Sequence, residues 1–361
     1  MPENESPENG PLNNYSSAPT GPGRRRRYAR SLSLTVSVSL TPTRVEILRH
    51  LAELRFLSLP QIARLCCPSG RRDLSEKSAR RQMRALFDGG LVDVLPISRA
   101  ALAPPGAPND ASLLYGSAPN VYMPTARGLD FLHRAGLAGP SGASRKKPAY
   151  GPRNSLFLAH ELAVRDVRVW LELAARSGGH EVERWHDGEE AVITLGRERG
   201  PSVVRPDAWF VLRLGRAVLV GLVEVDRGTE RGDRRWREKL GAYGTLFSSG
   251  HLNAVTGYVN ARVLVLTPDA RRRDRLCEMV GQAAEPLASR FWFASTSALD
   301  QPDLGDGQWR RYGVADVQPL VAPEALHGTP ERVIGDHQTG PSSAGGTAEQ
   351  ETPERSPARE R

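Results

Sequence analysis

Residues 205–243 read RPDAWFVLRLGRAVLVGLVEVDRGTERGDRRWREKLGAY, and the fold turns on how this stretch is read. Two short apolar runs, Ala208 to Leu212 and Ala217 to Val225, are rich in Val, Leu and aromatics and are parted by Gly215 and Arg216. That pattern predicts a β-hairpin. Acids stand where a buried strand should have none: Asp207 opens the first run, and Glu224 and Asp226 close the second across a single valine. Strand side chains alternate faces, so Glu224 and Asp226 share a side and the hairpin can carry Asp207 beside them. Three carboxylates at one sheet end repel one another unless a cation, a proton or several donors hold them. An oxygen-rich set of this kind suits Mg²⁺ or Mn²⁺.

Outward from the hairpin, helical and strand patterns alternate. A long apolar helix is expected from Asn154 to about Arg176, packed on both sides, with His160 and Glu161 interrupting its face. Glu161 is a minor candidate for an additional metal acid, and His160 reads as a hydrogen-bonded core residue. Strands are expected over 180–186 and 191–195, then the hairpin, then an amphipathic helix from Thr229 to Phe247. Trp236, Leu240, Tyr243 and Phe247 form its apolar stripe, and Arg231, Arg234, Arg235, Arg237 and Lys239 its basic face. A strand over 261–266, a helix over 269–287 and a strand over 290–294 complete the series. Helices lying between strands favour a mixed α/β sheet over an all-β sandwich, within a chain that is α+β overall.

Before this domain the pattern is helical. Thr41 and Pro42 start a first helix containing Ile47, Leu48, Leu51 and Leu54, and Ser58 caps a second, with Leu59, Ile62, Leu65 and Cys66 inward. A third helix is expected from Ser75 to Gly89, with Ala79, Met83, Leu86 and Phe87 inward and Lys77, Arg80, Arg81 and Arg84 on the other face. Leu91 to Leu95 alternates as a strand, Val121 to Met123 can return beside it, and a fourth helix opens at Thr125. Three helices and a two-stranded ribbon are the layout of a winged helix-turn-helix, whose third helix enters the major groove of double-stranded DNA. Ser75, Lys77, Ser78, Arg80, Arg81 and Arg84 are the candidate DNA contacts, to guanine edges or to phosphate.

The expected divisions are a basic arm over 1–40 carrying Arg24 to Arg27, the head over 41–137, a linker over 138–153 with Arg145, Lys146 and Lys147, the mixed-sheet domain over 154–312 and a tail over 313–361. The arm and tail are poor in core-forming residues and are expected to be disordered. The 361 residues carry a formal net charge of +8, a balance that favours a polyanionic partner. Three cysteines, Cys66, Cys67 and Cys277, are too few and wrongly spaced for a disulfide framework or a structural zinc site, and are expected to be buried. No apolar run is long enough for a bilayer, so a cytoplasmic protein is expected. Phosphate-loop, dinucleotide, HExxH and GxSxG patterns are absent from the sequence, which leaves nucleotide hydrolysis, zinc peptidase and serine hydrolase chemistry without support.

The hairpin motif resembles the PD-(D/E)XK nuclease-like core. Pro206-Asp207 matches the first half, and Glu224-Val225-Asp226 stands in the second, with aspartate in place of the lysine. The resemblance implies a restriction-endonuclease-like domain whose missing lysine Lys239, one helix later, or Arg227 can replace. Taken with GLVDV, VYMPTARG, LAHELAV, VEVDRGTE and KLGAY, the sequence over roughly 41–300 resembles the replication-relaxation family. That resemblance implies DNA binding in the replication or maintenance of plasmid-like DNA, alongside replication or mobilisation proteins, with a homodimer open. Two readings follow. Either the sheet domain is a degenerate scaffold whose acids pair with local arginines such as Arg205 and Arg227, or Asp207, Glu224, Asp226 and Lys239 form the site of a Mg²⁺-dependent nuclease or nickase.

Overall fold

The computed structural model describes residues 38–95, 97–98, 102, 118, 120–137, 155–196, 203–228 and 234–326. The arginine run of the arm, the linker and the chain beyond residue 326 lie outside the described residues.

The head consists of α1 (Pro42–Leu54), β1 (Leu57–Ser58), α2 (Leu59–Cys66), α3 (Arg72–Asp88), β2 (Val92–Leu95), β3 (Val121–Pro124) and α4 (Ala126–Arg134). Its helices start where short polar side chains replace the missing intrahelical acceptors: the Thr41 hydroxyl accepts from the Arg44 amide, and Ser58 and Gln61 cap one another reciprocally. β1, β3 and β2 form an antiparallel sheet in that order, with Val94 opposite Tyr122. Ile47, Leu48, Leu51, Ile62, Ala79, Met83 and Leu86 close the core beneath it.

α5 (Ser155–Ser177) leads into a five-stranded sheet ordered β10-β9-β8-β7-β4. Here β4 is Glu181–Asp187, β7 is Ala208–Leu214, β8 is Ala217–Val225, β9 is Arg262–Thr267 and β10 is Phe291–Ser295, with the short pair β5 (Ile193–Thr194) and β6 (Val203–Val204) set apart. β4, β7 and β8 run as an antiparallel meander, whereas β8, β9 and β10 are parallel. The parallel pairs need crossovers. These are α6 (Arg234–Ser248) with α7 (His251–Thr256), and α8 (Ala270–Val280) with α9 (Glu285–Ala288). One face of the sheet, through Phe210, Leu212, Val223, Val225 and Leu264, packs on Val167, Trp170 and Leu171 of α5. The other face, through Trp209, Val211, Leu222 and Val265, packs on Trp236, Tyr243 and Leu276 of α6 and α8. The β7–β8 turn holds Gly215 at φ 63°, where a side chain would be strained. Gly221 faces Phe210, whose ring occupies the space a β-carbon would need.

α5 joins the two parts. Val169 enters the head core while its neighbours enter the sheet core, so both sides of the helix are buried. Gln61 Nε2 donates to Asp166 Oδ1 at 2.7 Å, Arg168 pairs with Glu53 at 2.9 Å, and the buried Arg165 donates to Leu54 O and Asp187 Oδ2, each at 2.9 Å.

Several boundaries differ from expectation. α3 begins at Arg72, three residues early, so it carries five cations against three acids, including Asp73 and Asp88 at its ends. The helix expected over 269–287 breaks at Gly281. The tail expected from residue 313 is folded as far as Leu326: β11 (Gly307–Trp309) pairs with β12 (Gln318–Pro319), α10 (Pro323–Leu326) follows, and Leu320 and Val321 are fully buried in the sheet core. Its Pro- and Gly-rich composition hid two anchor residues that a periodicity test on so short a segment does not register.

Candidate functional site

The hairpin delivers its acids to one end of the sheet. Asp207 precedes β7, and its amide continues the ladder by donating to Val223 O at 2.9 Å. Its Oδ2 accepts from the Val225 amide at 2.7 Å and its Oδ1 contacts His160 Nε2 of α5 at 2.9 Å. Glu224, on β8 with 1% of its surface exposed, accepts from Lys239 Nζ at 2.5 Å and from the Tyr243 hydroxyl at 2.7 Å. Lys239 and Tyr243 are four residues apart on α6, so one helical face serves the carboxylate.

Burial alone would raise Asp207, but the hydrogen bond and charge of His160, with Lys239 and the Val225 amide, hold it below the usual aspartate value. Glu224 goes the other way: burial pushes it up, Asp207's charge adds to that, and Lys239 and Tyr243 do not offset them. Burial lowers His160, yet Asp207 prevails and holds it above the ordinary histidine value. Burial and the Glu224 charge push Tyr243 well up, so it stays a donor. Two carboxylates of opposite shift thus share one charged neighbourhood, with an imidazole and an ammonium balancing them.

Asp226 does not join this group, although it turns toward α6 as alternation requires. Its Oδ1 accepts from the Gly228 amide at 2.6 Å, and its Oδ2 accepts from Trp236 Nε1 at 3.0 Å and from Arg272 Nη2 of α8 at 2.8 Å. It ties the β8–α6 connection to two helices. Asp207, Glu224 and Asp226 do not form a set of three with ligand atoms within 4.8 Å of one another, which corrects the expectation of three acids on one ion. Among the described residues Arg205 forms no ion pair with these acids. Donors come instead from α5, α6 and α8. Glu161 is buried between Arg55 and Arg165, 3.5 Å from each, in the contact of head and sheet domain.

His160, Tyr243 and Arg272 were not assigned to the site from sequence. Only Tyr243 had a legible signal, its spacing of four from Lys239.

On α3, Lys77, Arg80, Arg81 and Arg84 are exposed. Arg80 pairs with Glu76 and Arg84 with Asp88, each at 2.9 Å and one turn away, whereas Lys77 and Arg81 form no ion pair among the described residues. Ser75 is a correction: it is buried in the first turn, its hydroxyl donating to Arg71 O at 3.3 Å, because the helix starts earlier than expected. Ser78 is half-buried.

Fold and site together define an α+β protein with a small helical head, clamped by one long helix to a mixed sheet that holds a buried carboxylate cluster at its end. The replication-relaxation family model matches residues 48–261, more than half of the chain, and the protein belongs to that family. Membership supports a role in replication or plasmid-related processes. The match runs from within α1 to the residue before β9, so it includes α3 and every acid of the hairpin. No curated protein and no solved structure gives a significant match. Among the described residues no helix is long and apolar enough to cross a membrane.

Proposed function

We propose that this is a DNA-binding protein of replication or plasmid maintenance, in which the head acts as a winged helix and α3 grips double-stranded DNA. The observation that carries this reading is the outward face of α3. Lys77 and Arg81 stand exposed, and the internal pairs of Arg80 and Arg84 are exposed i,i+4 pairs worth only about 0.3–0.5 kcal/mol each. A phosphate can displace such partners at little cost. In the same reading the sheet domain is a nuclease-like scaffold. Its order of helix, antiparallel meander, crossover helix and parallel strand supports the kinship, while the oxygens of all three acids are taken by internal donors.

Binding of a fluorescent duplex, followed by anisotropy across salt concentrations, tests the proposal. Each phosphate contact contributes about 0.9 to the slope of log affinity on log salt. Lys77→Ala with Arg81→Ala should therefore flatten the slope by about 1.8 and weaken binding roughly thirtyfold near 0.15 M salt. Asp207→Ala should leave both unchanged. An unaltered slope in the double variant refutes the assignment of α3.

A second reading, metal-dependent DNA cleavage, is favoured by one feature: Lys239 reaches Glu224 from the next helix, as a lysine displaced from the motif would. As arranged, the donors do not fit a resident ion, because Asp226 is committed to Trp236 and Arg272 and both Asp207 oxygens are hydrogen-bonded. Supercoiled plasmid incubated with Mg²⁺ or Mn²⁺ decides the matter. Nicking or linearisation that disappears in Asp207→Ala establishes cleavage, and none in the native protein leaves the scaffold reading in place.

A further inference from the structure

Away from the carboxylate cluster, metal-type donors gather in the head. Glu46 and His50 stand one turn apart on α1, Cys66 ends α2, and their ligand atoms lie within 4.8 Å of one another. This is the one such set among the described residues. His50 and Cys66 are each only 7% exposed, in a region otherwise filled by Ile47, Leu51, Leu65 and Met83. His50 Nδ1 is buried without a hydrogen-bond partner among the described residues, and Nε2 lies 3.9 Å from Glu46 Oε1. A buried imidazole nitrogen left unpaired calls for an explanation, and a bound ion is one of the recognised ones.

We propose that Glu46, His50 and Cys66 form a zinc site. A thiolate, an imidazole and a carboxylate are the donors Zn²⁺ prefers, whereas Mg²⁺ and Ca²⁺ take oxygen alone. Three protein ligands leave the fourth tetrahedral position to water. Burial holds the His50 imidazole below its ordinary value, so it is neutral near pH 7, the form that ligates. Burial also pushes the Cys66 thiol up, which opposes ligation, so the metal must displace the thiol proton to solvent as the sulfur–metal bond forms. Arg176 of α5 is the competing cation, 3.4 Å from His50 Nε2 and 3.7 Å from Glu46. It also pairs with Glu172 at 2.7 Å, which keeps it satisfied when a metal takes Glu46 and His50. An ion bridging α1 and α2 would pin the two helices on which α3 rests. The site is independent of both readings of the sheet domain.

The test is a Co²⁺ titration of the full-length protein, first stripped with chelator and kept reduced. One equivalent should produce a sulfur-to-cobalt charge-transfer band in the near ultraviolet with the visible bands of a tetrahedral ion, and Zn²⁺ should bleach both. Cys66→Ser should abolish the charge-transfer band, Cys67→Ser and Cys277→Ser should retain it, and His50→Ala should weaken affinity at least tenfold. Arg176→Met should tighten it. A native protein with no thiolate band overturns the proposal without recourse to any variant, and so does a band that survives in folded Cys66→Ser.

Discussion

Replacing Lys239 by methionine isolates the electrostatics of the hairpin acids. Glu224 is almost wholly buried, and it keeps only the Tyr243 hydroxyl when the ammonium is gone. Breaking a buried ion pair from one side costs about 3–5 kcal/mol when the survivor stays charged. Glu224 has a cheaper course, because burial and Asp207 already hold its proton affinity above the ordinary value. Taking up a proton caps the loss, so about 2–3 kcal/mol is expected near pH 8, against a domain stability of about 5–15 kcal/mol. The sign with pH follows from linkage. An acid whose folded pKa is raised binds more protons in the native state, so stability falls as pH climbs from the unfolded value of 4.5 through the folded one, by at most about 1.4 kcal/mol per pH unit. Lys239→Met raises the folded value further, so its deficit relative to the native protein should shrink from about pH 8 to about pH 5. Adding Glu224→Gln should restore most of the loss at the higher pH. Urea denaturation of the three proteins at both pH values is the assay. A deficit equal at the two, or unrelieved by glutamine, refutes the argument that Glu224 is a buried charge held by Lys239.

His160 should titrate above 6.5 in the native protein by proton NMR, and at a lower value in Asp207→Asn, where burial and the Lys239 charge oppose protonation and only the Glu161 charge still favours it. Because its folded pKa is raised, the stability this pair supplies is complete below pH 6.5 and fades as pH passes the folded value; a midpoint unmoved by Asp207→Asn removes the pair. Asp226→Asn should lower stability by about 2–3 kcal/mol through the loss of a charge-assisted bond to Arg272, read by thermal unfolding, without altering duplex binding. Leu320→Ala should cost about 2–5 kcal/mol as a core truncation, whereas a negligible change would return the segment to a solvated tail.

The hairpin was legible because strand alternation and a glycine turn are local signals, and its register followed from them: Leu214 opposite Ala217, Ala208 opposite Val223. The convergence of Asp207 and Glu224 follows from the same geometry. What alternation could not show is who satisfies each acid. Asp226 shares a side with Glu224, yet one residue past the strand its oxygens meet Trp236 and Arg272, and the latter comes from a helix 46 positions on. His160 belongs to α5, 47 positions before Asp207, and no periodicity within either segment relates them. Ser75 failed for a different reason. A polar residue that reads as a helix start sits in the second half of the first turn when Arg72 and Asp73 are also helical, and that rotation turns it inward.

α5 connects these features physically. His160 at its start holds Asp207, Arg165 and Asp166 in its middle bond Leu54 and Gln61 of the head, and Val169 fills the head core two residues before Leu171 enters the sheet core. Such a helix cannot slide or rotate relative to either part without exposing apolar surface on one side and an unpaired charge, Arg165, on the other. The orientation of α3 relative to the sheet end is therefore set by packing. Through α5 the head and the sheet domain are held in one fixed arrangement.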